Sequence, residues 1–489
     1  MVFPRCHPHW EALISWCQVP EEHEEYEPMI EVGIFDGGSS DLPFRKTASG
    51  QRIVDGTLAD VHDAARRTQA AQVRRAVLAE SVGFDYYWLT EHHFGTEGAE
   101  LSTNPLQIGT AIAALTRTIR IGQLANIVAF HHPIRLAEQI AILDNLSGGR
   151  AEVGLGRGYQ GREAEMFGKT YGAGIQDQER NRSFHHEAYE ILIKAWTEES
   201  FSHTGQFFSI PPDYTKWNHA QTIAFFEEGD AGPDVNDVFK IAPPDQYSMM
   251  GPPISASGTT LKQLSVMPQP FQKPHPPLWE PLNSERTIRW AASKGLNGNF
   301  IFESDRALKP KLDVYMEQSA ASGWPNGGEF KYGWDAEKHR GVSSGRVVHI
   351  VDPSLSHCNP DLARESQLFQ WDFYKPFGFT AILAEPGETP RMDVDVTAEV
   401  LEQQGMLIVG SKEHVIEKLM GLKETAYADG DFITNIWFES GGTPHEAVEE
   451  QIQFFGEEII PELRRNCGGS PERAESTVQL VPDAVAAKV

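Results

Sequence analysis

The sequence is poor in cysteine, in cations and in long apolar runs. Its four cysteines, Cys6, Cys17, Cys358 and Cys467, form no CxxC pair. That argues against a zinc knuckle or a disulfide framework and fits a reducing compartment. Lysine and arginine number 42 against 69 aspartates and glutamates, a formal charge of −27. So acidic a chain repels a phosphate backbone, which argues against general nucleic-acid binding but leaves room for local basic sites. No apolar run reaches the roughly 18 residues of a membrane span. The start, MVFPRCHPHWEALISW, has no basic segment leading into an apolar one, so a cytoplasmic location is expected.

What is present suits an enzyme. Of 489 residues, 40% are hydrophobic and 23% charged, and one large α/β barrel with insertions absorbs that length. The stretch to about Pro28 is irregular and ends in acidic 20-PEEHEEYEP-28. Strand-like and helix-like segments then alternate. Strands are expected near Ile30, Phe84, Ile119, Arg150, Pro277, Gly298, Gly345 and Phe432, and 405-GMLIVG-410 reads as a short extra piece. Helices are expected over 59–82, 104–115, 132–146, 179–197, 284–294 and 412–425. Gly83 and 147-SGG-149 act as stops. The rhythm fails over 201–275, which is rich in Pro, Gly and Asp. Eight βα units predict an α/β fold, a (β/α)8 TIM barrel over 29–465. It carries a large insertion at 201–275, an N-terminal extension 1–28 and a polar C-terminal tail 466–489. A doubly wound open sheet shares this pattern.

Three constellations carry chemistry. The strand in 84-FDYYWLTEHHFG-95 runs into Glu91, His92 and His93, at the strand end where barrels keep their sites. Adjacent side chains on an extended segment diverge, so these two histidines do not grip one metal ion. A hydrogen-bonded pair at a strand end is the plainer reading. His7 and His9 form an HxH of the kind found in metal-dependent barrel hydrolases, but no strand precedes it. The turn 154-GLGRGYQG-161 combines close backbone approach with Arg157, Gly158 and Tyr159. It matches neither dinucleotide nor P-loop spacing and equally suits an ordinary βα turn. Ser284 reads as a helix N-cap, in company with Thr287, and free N–H groups there can hold a phosphate. Together, the Arg-Gly turn and the capped helix can clamp one phosphomonoester.

The ordered segments WLTEHHF, IRIGQLANIVAFHHPIRLAEQIAILDNLSGGR and AEVGLGRGYQGREAEMFG resemble the bacterial luciferase-like flavin-dependent monooxygenases. The resemblance is dense over 30–200 and resumes at 277–300 and 405–460. It implies a TIM barrel that takes reduced FMN from a separate flavin reductase. O2 would add at the flavin C4a position, and the peroxyflavin would oxidise a small organic substrate by hydroxylation or Baeyer–Villiger insertion. By the same resemblance, His92 is the catalytic histidine. Leu124-Ala125 is a non-prolyl cis peptide beneath the flavin ring, and Arg157, Ser284 and Thr287 hold the phosphate. Gly156 stands where the light-emitting subunit has a reactive cysteine, and Asn283 replaces an acidic residue. Relatives dimerise through early helices, and 134-IRLAEQIAILDNL-146 is compatible with a homodimer. The insertion, with aromatics Tyr214, Trp217, Phe225, Phe226 and Tyr247, is expected to form a lid or substrate pocket. F420-dependent hydride transfer on the same barrel is the alternative, followed by a metal-dependent hydrolase and a non-catalytic flavin-binding relative.

Overall fold

In the structure, a computed structural model, residues 29–167, 176–212, 259–323, 330–392, 394–428 and 430–467 are described, with 215, 221 and 239–241 between them. The extension 1–28 with His7 and His9, the five insertion aromatics, and the tail from 468 lie outside the described residues.

Eight parallel strands close a ring: β1 (Ile30–Asp36), β2 (Tyr86–Leu89), β3 (Arg120–Ile127), β4 (Ala151–Gly156), β5 (Leu278–Pro281), β6 (Asn297–Phe300), β7 (Arg340–Ile350) and β8 (Phe432–Trp437). Each pairs with the next, and β8 returns to β1 with Ile30 opposite Phe432. This is a (β/α)8 barrel, and closure rules out the open sheet. Segment 407–410 pairs only with the outer end of β7, so it is an extra strand, as its sequence suggests.

The helices α1 (Leu58–Ser81), α2 (Pro105–Leu115), α3 (Pro133–Ser147), α4 (Gln178–Thr197), α5 (Glu285–Lys294), α6 (Asp305–Ala321), α7 (Lys412–Ala426) and α8 (His445–Phe454) surround the ring. Their starts are chemically marked. Thr57 and Asp60 form a reciprocal capping box on α1, Asn104 caps α2 ahead of Pro105, and Ser284 caps α5. Gly148 closes α3 in the left-handed conformation. None of the described helices is long and apolar enough to cross a membrane.

The barrel's N-terminal half is plugged by Trp88, Trp279 and Trp334, with ring centroids 5.0 and 5.5 Å apart in sequence. Beside them lie half-buried Glu31 and Arg120 and buried Glu152. The glycines are part of this packing. A Cβ at Gly122 would fall 1.9 Å from the Trp88 ring, and one at Gly154 would fall 1.9 Å from the Gln123 carbonyl oxygen.

The described parts of 201–275 do not cover the site end of the barrel. Hairpin His203–Thr204 with Ser209–Ile210 climbs the outside of α4, where Glu187 accepts from the N–H groups of Gln206 and Phe208 at 2.8 and 2.9 Å. Gln269 and Gln272 bond Ala195, Asp144 and Ala151 at the opposite end of the barrel. The mouth is instead covered by the excursion after β7. Its helix Pro360–Tyr374 sets Trp371 and Tyr374 on Phe302, 5.5 and 5.7 Å between centroids. The part of the insertion expected to form a lid or substrate pocket, with its five aromatics, lies outside the described residues. The covering helix Pro360–Tyr374 drew no attention in the sequence, because it reads as an ordinary amphipathic helix.

Gly154→Ala should destabilise the fold by about 1–3 kcal/mol, because the added methyl meets backbone that cannot give way. Urea unfolding measures this, and an unchanged midpoint would contradict the packing described.

Candidate active site

The chain leaves β2 extended, so consecutive side chains diverge. His92 turns to a buried cluster, with Nε2 3.4 Å from Glu100 and Nδ1 3.7 Å from Glu163. Gln160 Nε2 lies 3.3 Å from Nδ1, and the Tyr159 ring meets the imidazole edge-on at 5.5 Å. His93 turns the other way. It sits 3.5 Å from Glu91 and is wedged among Phe94, Phe130 and Phe167. Glu91 in turn accepts from the Ile127 N–H at 2.6 Å and lies 2.8 Å from His131 Nε2. That ties the end of β2 to the end of β3. The two neighbouring histidines therefore have separate surroundings, and no cluster able to hold a metal ion exists among the described residues.

Glu100 is the hub. It is 3% exposed and accepts from the Tyr159 hydroxyl at 3.0 Å, the Tyr374 hydroxyl at 2.7 Å and the Gln160 amide at 2.9 Å. Burial pushes its carboxyl up, against the pull of His92 and the two tyrosines. Burial by itself would lower the His92 pKa, but the charges of Glu100, Glu163 and Glu91 prevail and raise it above its ordinary value. Phe377 and Phe379 close on Tyr159 at 5.3 and 4.8 Å and shield the cluster from the covering segment.

A second group assembles next to it. The Leu124-Ala125 peptide is cis, in the irregular stretch of β3 between Gln123 and Asn126. Gly156 faces it, where a Cβ would lie 3.0 Å from the Ala125 Cβ. Gly158 follows at φ 76°, a left-handed conformation that favours glycine. Between them Arg157 reaches amide oxygens of Gln178 and Asn181 at 3.3 and 3.4 Å. Burial lowers its pKa, helped by the nearby cations Arg182 and Arg286 and opposed by Glu280 and Glu179. The Arg182 Nε is buried without a hydrogen-bond partner among the described residues. Arg286 stands in the first turn of α5, two residues beyond the Ser284 cap, whose Oγ accepts from the Thr287 N–H at 3.3 Å. Neutral amides, clustered guanidinium groups and a helix N-terminus form a cradle suited to an anion.

Of the residues expected from sequence, His92 and Tyr159 meet in one cluster. Ala125 lies against Gly156 and Gly158 against Ile127, and Arg157 shares its electrostatic neighbourhood with Arg286 in the α5 turn that carries Ser284 and Thr287. Sequence reasoning missed Glu100, Glu163, Gln160, Tyr374, Asn181 and Arg182. Gln160 and Glu163 stood inside a segment already singled out. Glu100 and Tyr374 are 274 residues apart, and nothing local marks either one.

Residues 53–224 match the model of the luciferase-like monooxygenase family. An uncharacterized Sinorhizobium fredii protein is 29% identical over 235 residues, 48% of this chain and 51% of its own length. The alkanal monooxygenase alpha chain of the Kryptophanaron alfredi symbiont is 30% identical over 133 residues, 27% of this chain and 35% of the relative. The chain thus spans about half, or less, of the curated relatives it matches. The fold is shared with the oxygenating constituent of Pseudomonas putida 3,6-diketocamphane monooxygenase, a type II Baeyer–Villiger enzyme solved with FMN. The TM-score is 0.59 at 20% identity, covering 89% of this chain and 99% of that one. An F420-dependent secondary alcohol dehydrogenase aligns with TM-score 0.55 at 14% identity, over 89% and 99%.

Glu100→Gln removes the largest charge favouring protonated His92, so the His92 pKa should fall. Histidine NMR titration should place wild-type His92 above 6.5, its ordinary value, and the variant lower. Coincident curves would contradict the pairing.

Proposed function

We propose that this protein is a flavin-dependent monooxygenase that uses reduced FMN and O2 to oxidise a small organic molecule. The observation that carries the reading is the adjacency of two groups: an anion cradle at Arg157 and α5, and a buried, readily protonated histidine at the end of β2. The family match over 53–224 agrees with it.

The residues fit the cofactor. Arg157 and the first turn of α5, with Ser284 and Thr287, would hold the phosphate. Leu124, Ala125, Gly158 and Tyr159 would border the ring. When bound, reduced flavin supplies the electrons that activate O2.

The chain's own contributions follow from the geometry. His92 holds a proton at Nε2 or Nδ1, between Glu100 and Glu163, and is placed to donate it or take it back. The carboxylates raise the His92 pKa above the ordinary histidine value and so favour the protonated ring. Tyr374, Phe377 and Phe379 exclude water from above. A separate reductase would deliver the reduced flavin, as the family resemblance implies. Hydroxylation and Baeyer–Villiger insertion make the same demands on these groups.

F420-dependent hydride transfer is the second reading, favoured by the fold shared with the F420-dependent dehydrogenase. It would use the same anion cradle and His92.

Arg157→Ala tests the cradle. Loss of a charge-assisted contact costs about 1.5–3 kcal/mol, so FMN affinity should fall roughly 10- to 100-fold. Riboflavin, which lacks the phosphate, should bind within about threefold of wild type. Equal weakening of both in calorimetric titration would overturn the assignment.

A further inference from the structure

A cavity of about 310 Å³ lies on the other side of the barrel, between the outer end of β7, the loop before helix Pro360–Tyr374, and the start of α8. It shares no residue with the His92 cluster or the anion cradle. That volume falls in the range of small-molecule sites. Val348, Leu362, Leu407, Phe438 and Ala447 make much of its wall.

The polar lining groups are mostly spent. The Gln451 amide is committed to both backbone groups of Ile350, at 2.6 and 3.0 Å. The Asn359 side chain caps the helix through the Leu362 N–H at 3.0 Å, and Ser440 Oγ accepts from Gln367. His349 is different. It is 8% exposed, lines the cavity, and its Nε2 has no hydrogen-bond partner among the described residues. A buried polar atom without a partner costs roughly 1–3 kcal/mol, and a ligand hydroxyl or carbonyl that reaches it would relieve that cost. Burial, with the nearby Arg364 charge, pushes the His349 pKa down to about 4. The imidazole is therefore neutral at physiological pH, and nothing about it favours an anion.

We propose that this cavity is a second ligand site, for small neutral molecules that are chiefly hydrocarbon and carry one hydroxyl or carbonyl group facing His349 Nε2. An occupant would touch Leu362 and Ala363, in the first turns of the helix whose last residue, Tyr374, holds Glu100. The site stands apart from the mouth and depends on neither cofactor reading.

Cys358 provides a local probe, because it lines the cavity and is a half-buried free thiol. Octan-1-ol titrated into the full chain should raise Tm and slow iodoacetamide alkylation of Cys358, followed by peptide mass spectrometry, at least fivefold. Ala363→Phe fills the cavity and should abolish both effects. His349→Leu should weaken octan-1-ol at least fivefold and leave octane unchanged. Unchanged Tm and Cys358 reactivity in wild type would overturn the proposal. So would octan-1-ol effects that persist undiminished in both variants, since these place the alcohol elsewhere. Should Ala363→Phe fail to fold, His349→Leu decides. Loss of flavin chemistry alone leaves each of these results unaffected.

Discussion

One buried carboxylate organises the mouth of this barrel. An unpaired charge as deep as that of Glu100 would cost several kcal/mol. Here it is met by two tyrosine hydroxyls, one amide and the His92 ring. Those partners come from the end of β2, the turn after β4 and the cover after β7, so satisfying one group fixes three segments in register. The same carboxylate keeps His92 protonatable in a buried setting that would otherwise favour the neutral ring. Structure and chemistry thus depend on the same hydrogen bonds.

The rest of the barrel separates stability from function along its axis. At the N-terminal end, charged groups are paired. Burial raises the Glu152 pKa, but Arg120 and His339 prevail and hold it low, with Trp279 donating a further hydrogen bond. At the C-terminal end, Arg157 meets the neutral amide oxygens of Gln178 and Asn181, and the Arg182 Nε has no hydrogen-bond partner among the described residues. The cavity behind β7 is a third region, lined by other residues and including a histidine whose Nε2 has no hydrogen-bond partner among the described residues.

Much of this was legible in the sequence. Strands buried on both faces read as short apolar runs, and helix starts carry their caps, so all eight barrel strands, six of the surrounding helices and the Ser284 cap could be placed from residues alone, while α6 and α8 were not. Strand β7 was seen only from Gly345. Its first half, 340-RGVSS-344, looks like a loop because it carries buried Arg340, Ser343 and Ser344 into the polar layer of the barrel. The Leu124-Ala125 position came from family resemblance and not from any local signal. Glu100, Tyr374 and the cover were hidden, because their significance lies in contacts between segments hundreds of residues apart.

The most direct measurement mixes protein loaded anaerobically with reduced FMN, and separately with reduced F420, against O2 while binding and oxygen uptake are followed. The account predicts that reduced FMN binds in preference to reduced F420 and that its oxidation consumes oxygen. Selective binding of reduced F420 with no oxygen uptake would contradict it. The barrel and its anion cradle would stand, but the reaction would be hydride transfer.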